Sequence, residues 1–184
     1  EFEKKDSERP KAVISFKVLY YDTFSIQQNA FPHKKFEQHK NLHSFLTYYY
    51  AGGAHAVKRD ALDKAGLYPN DFFYGMEEYD LSYRLLEAGY SISYSASIVM
   101  LHKESPLGRK PKKEKMRMLW SNKSRVAYRY LPIRYYYSTA FMWSLEYLYK
   151  SRFDIAGYFK GWKEIFGIPS QNKRTPIGPT ALAY

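Results

Sequence analysis

Residues 76–101 constrain the fold of this chain more than any other stretch. Over 76–88, Leu81, Leu85 and Ala88 recur at i, i+4 and i+7, Asp80 and Arg84 form an i, i+4 pair, and Gly89 supplies a stop. From residue 90 to 101 the period changes to two, so that Ile92, Tyr94, Ala96, Ile98 and Met100 would share one face of a strand. A strong helix feeding a long strand through one glycine predicts a mixed α/β body. An earlier strand is predicted over 12–21, which is rich in β-branched and aromatic residues. Residues 44–50 read as a second strand ending at Gly52-Gly53, where the missing Cβ leaves positive φ or a close approach open. Residues 22–41 carry no sustained period and read as loop or short edge strand, 59–65 as a short helix stopped by Gly66, and 68–71 as a turn.

Beyond residue 102 the pattern is helical. A basic loop over 103–115 contains Pro106, Gly108 and Pro111, and helices are predicted at 116–130, 135–149 and 155–166. The expected organisation is a charged, ragged start (1–11), an α/β part (12–108), a basic aromatic helical extension (109–168) and a flexible tail (169–184). The length, 184 residues at 45% hydrophobic, suits one domain with a real core.

Composition removes several function classes. There is no cysteine, so no disulfide framework, thiolate metal site or cysteine nucleophile exists. No apolar run reaches the roughly 18 residues of a membrane-spanning helix. The opening Glu1-Phe2-Glu3-Lys4-Lys5-Asp6 lacks the apolar core of a secretory signal, so a reducing, cytoplasmic setting is expected. The formal net charge of +11 is unevenly placed: residues 1–108 hold 13 Lys+Arg against 14 Asp+Glu, and residues 109–184 hold 16 against 4. An anionic partner is therefore expected for the back of the chain only.

Glu77, Glu78 and Asp80 put three carboxylates in the first turn of the predicted helix. One reading is compensation of the helix dipole, about 0.3–1 kcal/mol each. The other is a general base, because the preceding Phe72-Phe73-Tyr74-Gly75-Met76 would partly desolvate the acids and raise their pKa. His102 ends the apolar strand, as a structural residue or as a ligand where open α/β sheets place their ligands. The loop after it (Lys103, Arg109, Lys110, Lys112, Lys113) reads as a cover for phosphates or as a solvated loop.

Four segments in order carry a family resemblance: Gly52-Gly53-Ala54-His55-Ala56-Val57-Lys58-Arg59, Gly66 to Phe73, Glu77-Glu78-Tyr79-Asp80-Leu81, and Gly89-Tyr90 with Val99-Met100-Leu101-His102. Together they resemble the acceptor-side half of a family 2 inverting glycosyltransferase of the GT-A fold, over about residues 12–134. Trp120-Ser121-Asn122-Lys123 is similar to the Arg-Asn segment of many bacterial members. The resemblance implies a partial GT-A mixed sheet with a C-terminal helical extension. It also implies transfer from a nucleotide-sugar donor to a glycan or lipid-linked acceptor in surface polysaccharide synthesis. The resemblance implies Glu78 in the place of the family's Asp base, Glu77 orienting it or touching the acceptor, and Asp80 as an acceptor- and sugar-site residue that holds the helix and the loop, partly through Arg84. Gly52 and Gly53 line the acceptor and sugar pocket, and His102 stands as a third ligand to a divalent metal, Mn or Mg. An inverting mechanism needs no enzyme nucleophile. The family's nucleotide-binding half, with its Asp-x-Asp metal motif, has no counterpart here, because no Asp-x-Asp occurs. The expectation is a C-terminal portion of a longer enzyme, inactive alone.

The aromatic helices after residue 135 mix Tyr, Phe and Trp with Lys150, Arg152, Lys160 and Lys163. They read as an interfacial face, peripheral on the inner side of a membrane, or as core packed on the α/β body. The rival readings are a nucleic-acid-binding module, with basic groups tracking phosphates between stacking tyrosines, and a non-catalytic interaction domain.

Overall fold

The computed structural model describes residues 2–3, 8–103 and 110–182. The predicted start at 1–11 lies partly outside these, as do Pro106, Gly108 and Arg109 of the basic loop. Two compact units divide the chain, where the length suggested one: residues 1–68, 78–106 and 178–184 form a sheet unit, and residues 69–77 and 107–177 a helical one. The expected break near 108 is thus joined by two exchanges, since 69–77 belongs with the helices and 178–184 with the sheet.

The sheet unit is α/β with an open, mixed four-stranded sheet in the order β2-β4-β1-β3. Strand β1 (Lys11–Tyr20) runs parallel to β4 (Ser91–His102), which β2 (Ser44–Thr47) flanks antiparallel, while β3 (His55–Val57) covers the other side of β1. Ala12, Val13, Ile14 and Ile92 are buried, the Val- and Ile-rich signature of central strands. Strand β4 departs from simple alternation. Ser91 to Ser95 are buried on both faces, and alternation begins only after them. The register with β1 jumps from Phe16↔Ser95 to Lys17↔Val99, so residues 96–98 bulge out of the ladder.

Short helices α1 (Phe36–His39) and α2 (Arg59–Ala65) interrupt the loops, and α3 (Glu77–Glu87) leads into β4. Leu81, Leu85 and Leu86 are buried on one side of α3. Gly66 and Gly89 stop α2 and α3 with φ of 83° and 87°. Behind α3 the Tyr90 N–H donates to the Leu85 carbonyl and the Gly89 N–H to Leu86, the paired bonds of a Schellman stop that only glycine adopts cheaply.

In the helical unit, α4 (Lys112–Tyr130), α5 (Ile133–Lys150) and α6 (Ile155–Phe166) surround a core of Trp120, Tyr136, Ala140, Tyr147, Ile165 and Ile168. The expected flexible tail is instead held. It begins with α7 (Ile168–Gln171), after which the Thr175 and Ile177 N–H groups donate to the Arg129 and Tyr130 carbonyls. Arg174 donates to the Tyr128 and Leu131 carbonyls, satisfying acceptors that the end of α4 leaves open. In the sheet unit, the Gly178 N–H donates to Glu87, and α8 (Pro179–Leu182) closes the chain.

Candidate functional site

The register Tyr20↔His102 places the C-terminal ends of two parallel strands side by side, the usual ligand position of an open α/β sheet. After β1 the chain turns tightly, the Tyr20 N–H donating to Ser25 and the Gln27 N–H to Val18, and brings buried Gln27 back beside β4. There His102 Nδ1 lies 2.8 Å from Gln27 Oε1. An amide oxygen only accepts, so Nδ1 carries the proton and Nε2 is left as an acceptor, the arrangement that orients ligating histidines.

His102 shares a cavity of about 400 Å³ with Gly52, Gly53, Gln27, Ala51 and Met100. The structure thus gathers three of the sequence-selected residues, His102, Gly52 and Gly53, in one wall. Neither glycine has positive φ, so freedom of φ is not their use. Close approach is the use of Gly52: a Cβ there would overlap Glu78 Oε1, whereas one on Gly53 would meet nothing within 4 Å. Glu78, at the start of α3, therefore packs its carboxylate against Gly52 without itself lining the cavity.

The glycine loop is braced by a directed hydrogen-bond chain. His55 Nδ1 donates to the Ala51 carbonyl at 3.0 Å, so Nε2 accepts from the Tyr68 hydroxyl at 3.0 Å, which in turn accepts from Tyr50 at 2.7 Å. The Ala51 N–H donates to Ser15 of β1. Burial lowers the His55 pKa, and burial with neighbouring His39 lowers that of His33. With both folded values below the unfolded ones, the unfolded chain binds more protons under about pH 6.5. Stability is then full above that pH and lost as pH falls through the folded pKa. The melting temperature is expected to drop between pH 7 and 5, and less steeply in His55→Asn; equal slopes would contradict the brace.

The aromatic surroundings of Glu78 are not those expected. Phe73 and Tyr74 are exposed, and Phe72 lies under the Arg125 and Arg129 guanidinium groups. Instead burial, aided by other tyrosines and the Glu78 charge, raises the Tyr50 and Tyr79 pKa values far above the ordinary phenol. Tyr79 stacks on Tyr49 at 4.8 Å, and burial pushes Tyr49 and Tyr83 up to about 12. Glu77 has Oε2 buried with no hydrogen-bond partner among the described residues.

Asp80 does not line the cavity shared by His102 and the two glycines. It is 1% exposed and 3.0 Å from Arg84, which also donates to the Ala65 and Leu67 carbonyls. Together they hold the Gly66 turn against α3, the pairing that the i, i+4 spacing indicated.

In the helical unit, buried Asn122 donates to the Tyr74 and Gly75 carbonyls, both at 3.0 Å. It fixes the turn before α3, where Met76 sits at φ 79°. A positive φ at a non-glycine residue persists only when neighbours hold it. A groove of about 820 Å³ in this unit is lined by Arg117, Arg125, Phe159, Lys160 and Lys163. Two of its cations are committed, Arg117 to Glu164 and Arg125 to Asp71.

Sequence reasoning missed Gln27, Tyr68 and the role of Asn122. Each acts through a partner 13 to 75 positions away, a distance no local pattern reports.

Among the described residues no group of three or more His, Asp or Glu side chains could hold a metal ion, so the divalent metal expected from the resemblance would need ligands beyond these. No protein-family model matches the sequence, and no curated protein matches it.

Proposed function

We propose that this chain is the acceptor-side part of an inverting glycosyltransferase of the GT-A type, acting on a hydroxyl of a glycan or lipid-linked acceptor. The observation that carries the reading is the contact of the Glu78 carboxylate with Gly52, a residue of the glycine loop that lines one cavity with His102 at the strand ends.

A transferred sugar needs two things from this side. The acceptor needs a wall to rest on, which the loop at 51–54 provides. Its hydroxyl needs a base, and Glu78 takes that proton as the oxygen attacks the anomeric carbon. The bond to the nucleoside diphosphate breaks on the opposite face, so configuration inverts and no enzyme nucleophile forms. His102 lines the cavity beside that loop with its tautomer set by Gln27. The reading requires donor-side residues beyond those described, and no step here runs through a metal.

The nucleic-acid reading has less support. The arginines it would use are engaged with protein groups: Arg117 with Glu164, Arg129 with Asp71, and Arg174 with two carbonyls.

The test is transfer by the protein at its native length in source cells, supplied with nucleotide sugars and glycan acceptors, with the product anomer read by NMR. Inversion with loss of turnover in Glu78→Gln is expected. A retained configuration, or turnover indifferent to Glu78, overturns the proposal.

A further inference from the structure

Helix α5 carries charge only at Arg134 and at the Glu146–Lys150 pair. Its inner face (Tyr136, Ala140, Ser144, Tyr147) is buried in the helical core. Its outer face carries Tyr137, Phe141, Met142, Leu145 and Tyr149, with Phe141 57% and Met142 62% exposed. No exposed position from Tyr135 to Tyr149 is charged, and Ser138 is the one polar residue among them. That stripe is about 21 Å long at 1.5 Å per residue. After α5, Phe153, Ile155, Phe159 and Phe166 are exposed as well, Phe159 in the groove with Arg117 and Arg125. An exposed apolar stripe of this kind marks an interaction surface.

Charge identifies what covers it. The exposed positions next to the apolar ones in sequence are Arg134, Lys150, Arg152, Lys160 and Lys163. The acids that could balance them are spent internally. Glu114 pairs with Lys110, Glu146 with Lys150 and Glu164 with Arg117, while Asp154 accepts from Tyr147 and caps α6 through the Gly157 N–H. A second copy docked on this face would bring like charges together. An anionic lipid surface satisfies both halves of the pattern, since aromatic side chains enter the headgroup region and cations near the surface are attracted to the anionic headgroups. No described helix is long and apolar enough to cross a membrane, so the face would lie on the bilayer.

We infer that the outer face of α5 and α6 docks on an anionic phospholipid bilayer, with its aromatic stripe in the interface and Arg134, Arg152, Lys160 and Lys163 on the headgroups. The proposal stands apart from the transferase reading, because vesicle binding needs neither donor nor Glu78. Glu78→Gln should bind vesicles as the parent chain does.

The experiment is co-sedimentation of the chain with vesicles of phosphatidylcholine alone and of phosphatidylcholine with about one third phosphatidylglycerol. At least tenfold stronger partitioning to the anionic vesicles is expected. Phe141→Gln/Leu145→Gln should lower it at least tenfold with the far-UV circular dichroism unchanged, both side chains being exposed. Should that helix variant lose structure, Phe153→Gln in the turn outside the helices provides the second probe and should weaken binding severalfold. A parent chain left in the supernatant overturns the proposal, as does binding indifferent to the substitutions. So does a dimer that they dissociate, or a single-stranded oligonucleotide that the variant binds as tightly as the parent.

Discussion

Replacing Trp120 by alanine is expected to cost the helical unit about 3–5 kcal/mol, the range for truncating a large buried aromatic. Trp120 is 0% exposed and is the largest buried side chain. Its ring stacks on Tyr147 at 5.6 Å and Tyr158 at 5.8 Å, and meets the edge of Trp162 at 5.5 Å. Its indole N–H donates to the Ala140 carbonyl of α5 at 2.8 Å, so one residue of α4 ties both other long helices by contact and by hydrogen bond. Gly161 of α6 shows how closely the ring is held, because a Cβ there would overlap Trp120 Cζ3. Domains of this size have only about 5–15 kcal/mol in total, so the loss takes a large share. At about 4–8 °C per kcal/mol for a small unit, the helical transition should fall by well over 10 °C in calorimetry, with the near-UV circular dichroism lost first. A drop of less than about 3 °C would show that the aromatic cluster is not the core described here.

The sequence showed the long elements and two short ones, α2 and β2, and hid the rest. Strand β1, helix α3, strand β4 and the helices α4 to α6 announce themselves through sustained periods, and all are found within a few residues of expectation. Strand β3 has three residues, too few to express a period of two, and it forms only because β1 offers a free edge. The first half of β4 departs from alternation because flanking strands and packed faces bury Ser91, Ser93 and Ser95 alike, which hydropathy does not announce. The tail was read from its prolines and glycines, yet its backbone is recruited by open carbonyls at the end of α4. At the site, Gly52, Gly53 and His102 were legible from order and spacing, and the structure sets them in one cavity. The aromatic neighbours of Glu78 were not: sequence adjacency pointed to Phe72 and Phe73, whereas the phenols that feel the Glu78 charge are Tyr50, from a loop distant in sequence, and Tyr79, the next residue of the helix.

The sharpest prediction at the site separates Glu78 as a base from Glu78 as a bystander. With the carboxylate made an amide, Glu78→Gln keeps shape and hydrogen-bonding capacity but cannot take a proton, and turnover should fall by about 10²–10⁴. Gly52→Ala should imitate much of that loss from the other side of the contact. The new Cβ claims the place of Glu78 Oε1, the mobile end of a side chain, so the carboxylate moves and the backbone does not. Gly52 has no positive φ to forbid alanine, and the loss of unfolded-state entropy favours the substitution by about 0.4–1 kcal/mol, so the melting temperature should stay within a few degrees. A reacting group displaced by about 1 Å costs on the order of 100-fold in rate, and that is the expected loss. Gly53→Ala, with nothing within 4 Å of its Cβ, should keep both stability and turnover. The ordering matters more than any one value. Losses in Glu78→Gln and Gly52→Ala with Gly53→Ala intact place the chemistry where these two residues touch. A loss in Glu78→Gln that Gly52→Ala does not share would put the productive carboxylate position elsewhere, and equal losses in both glycine variants would mean that the loop, not the carboxylate, had been disturbed.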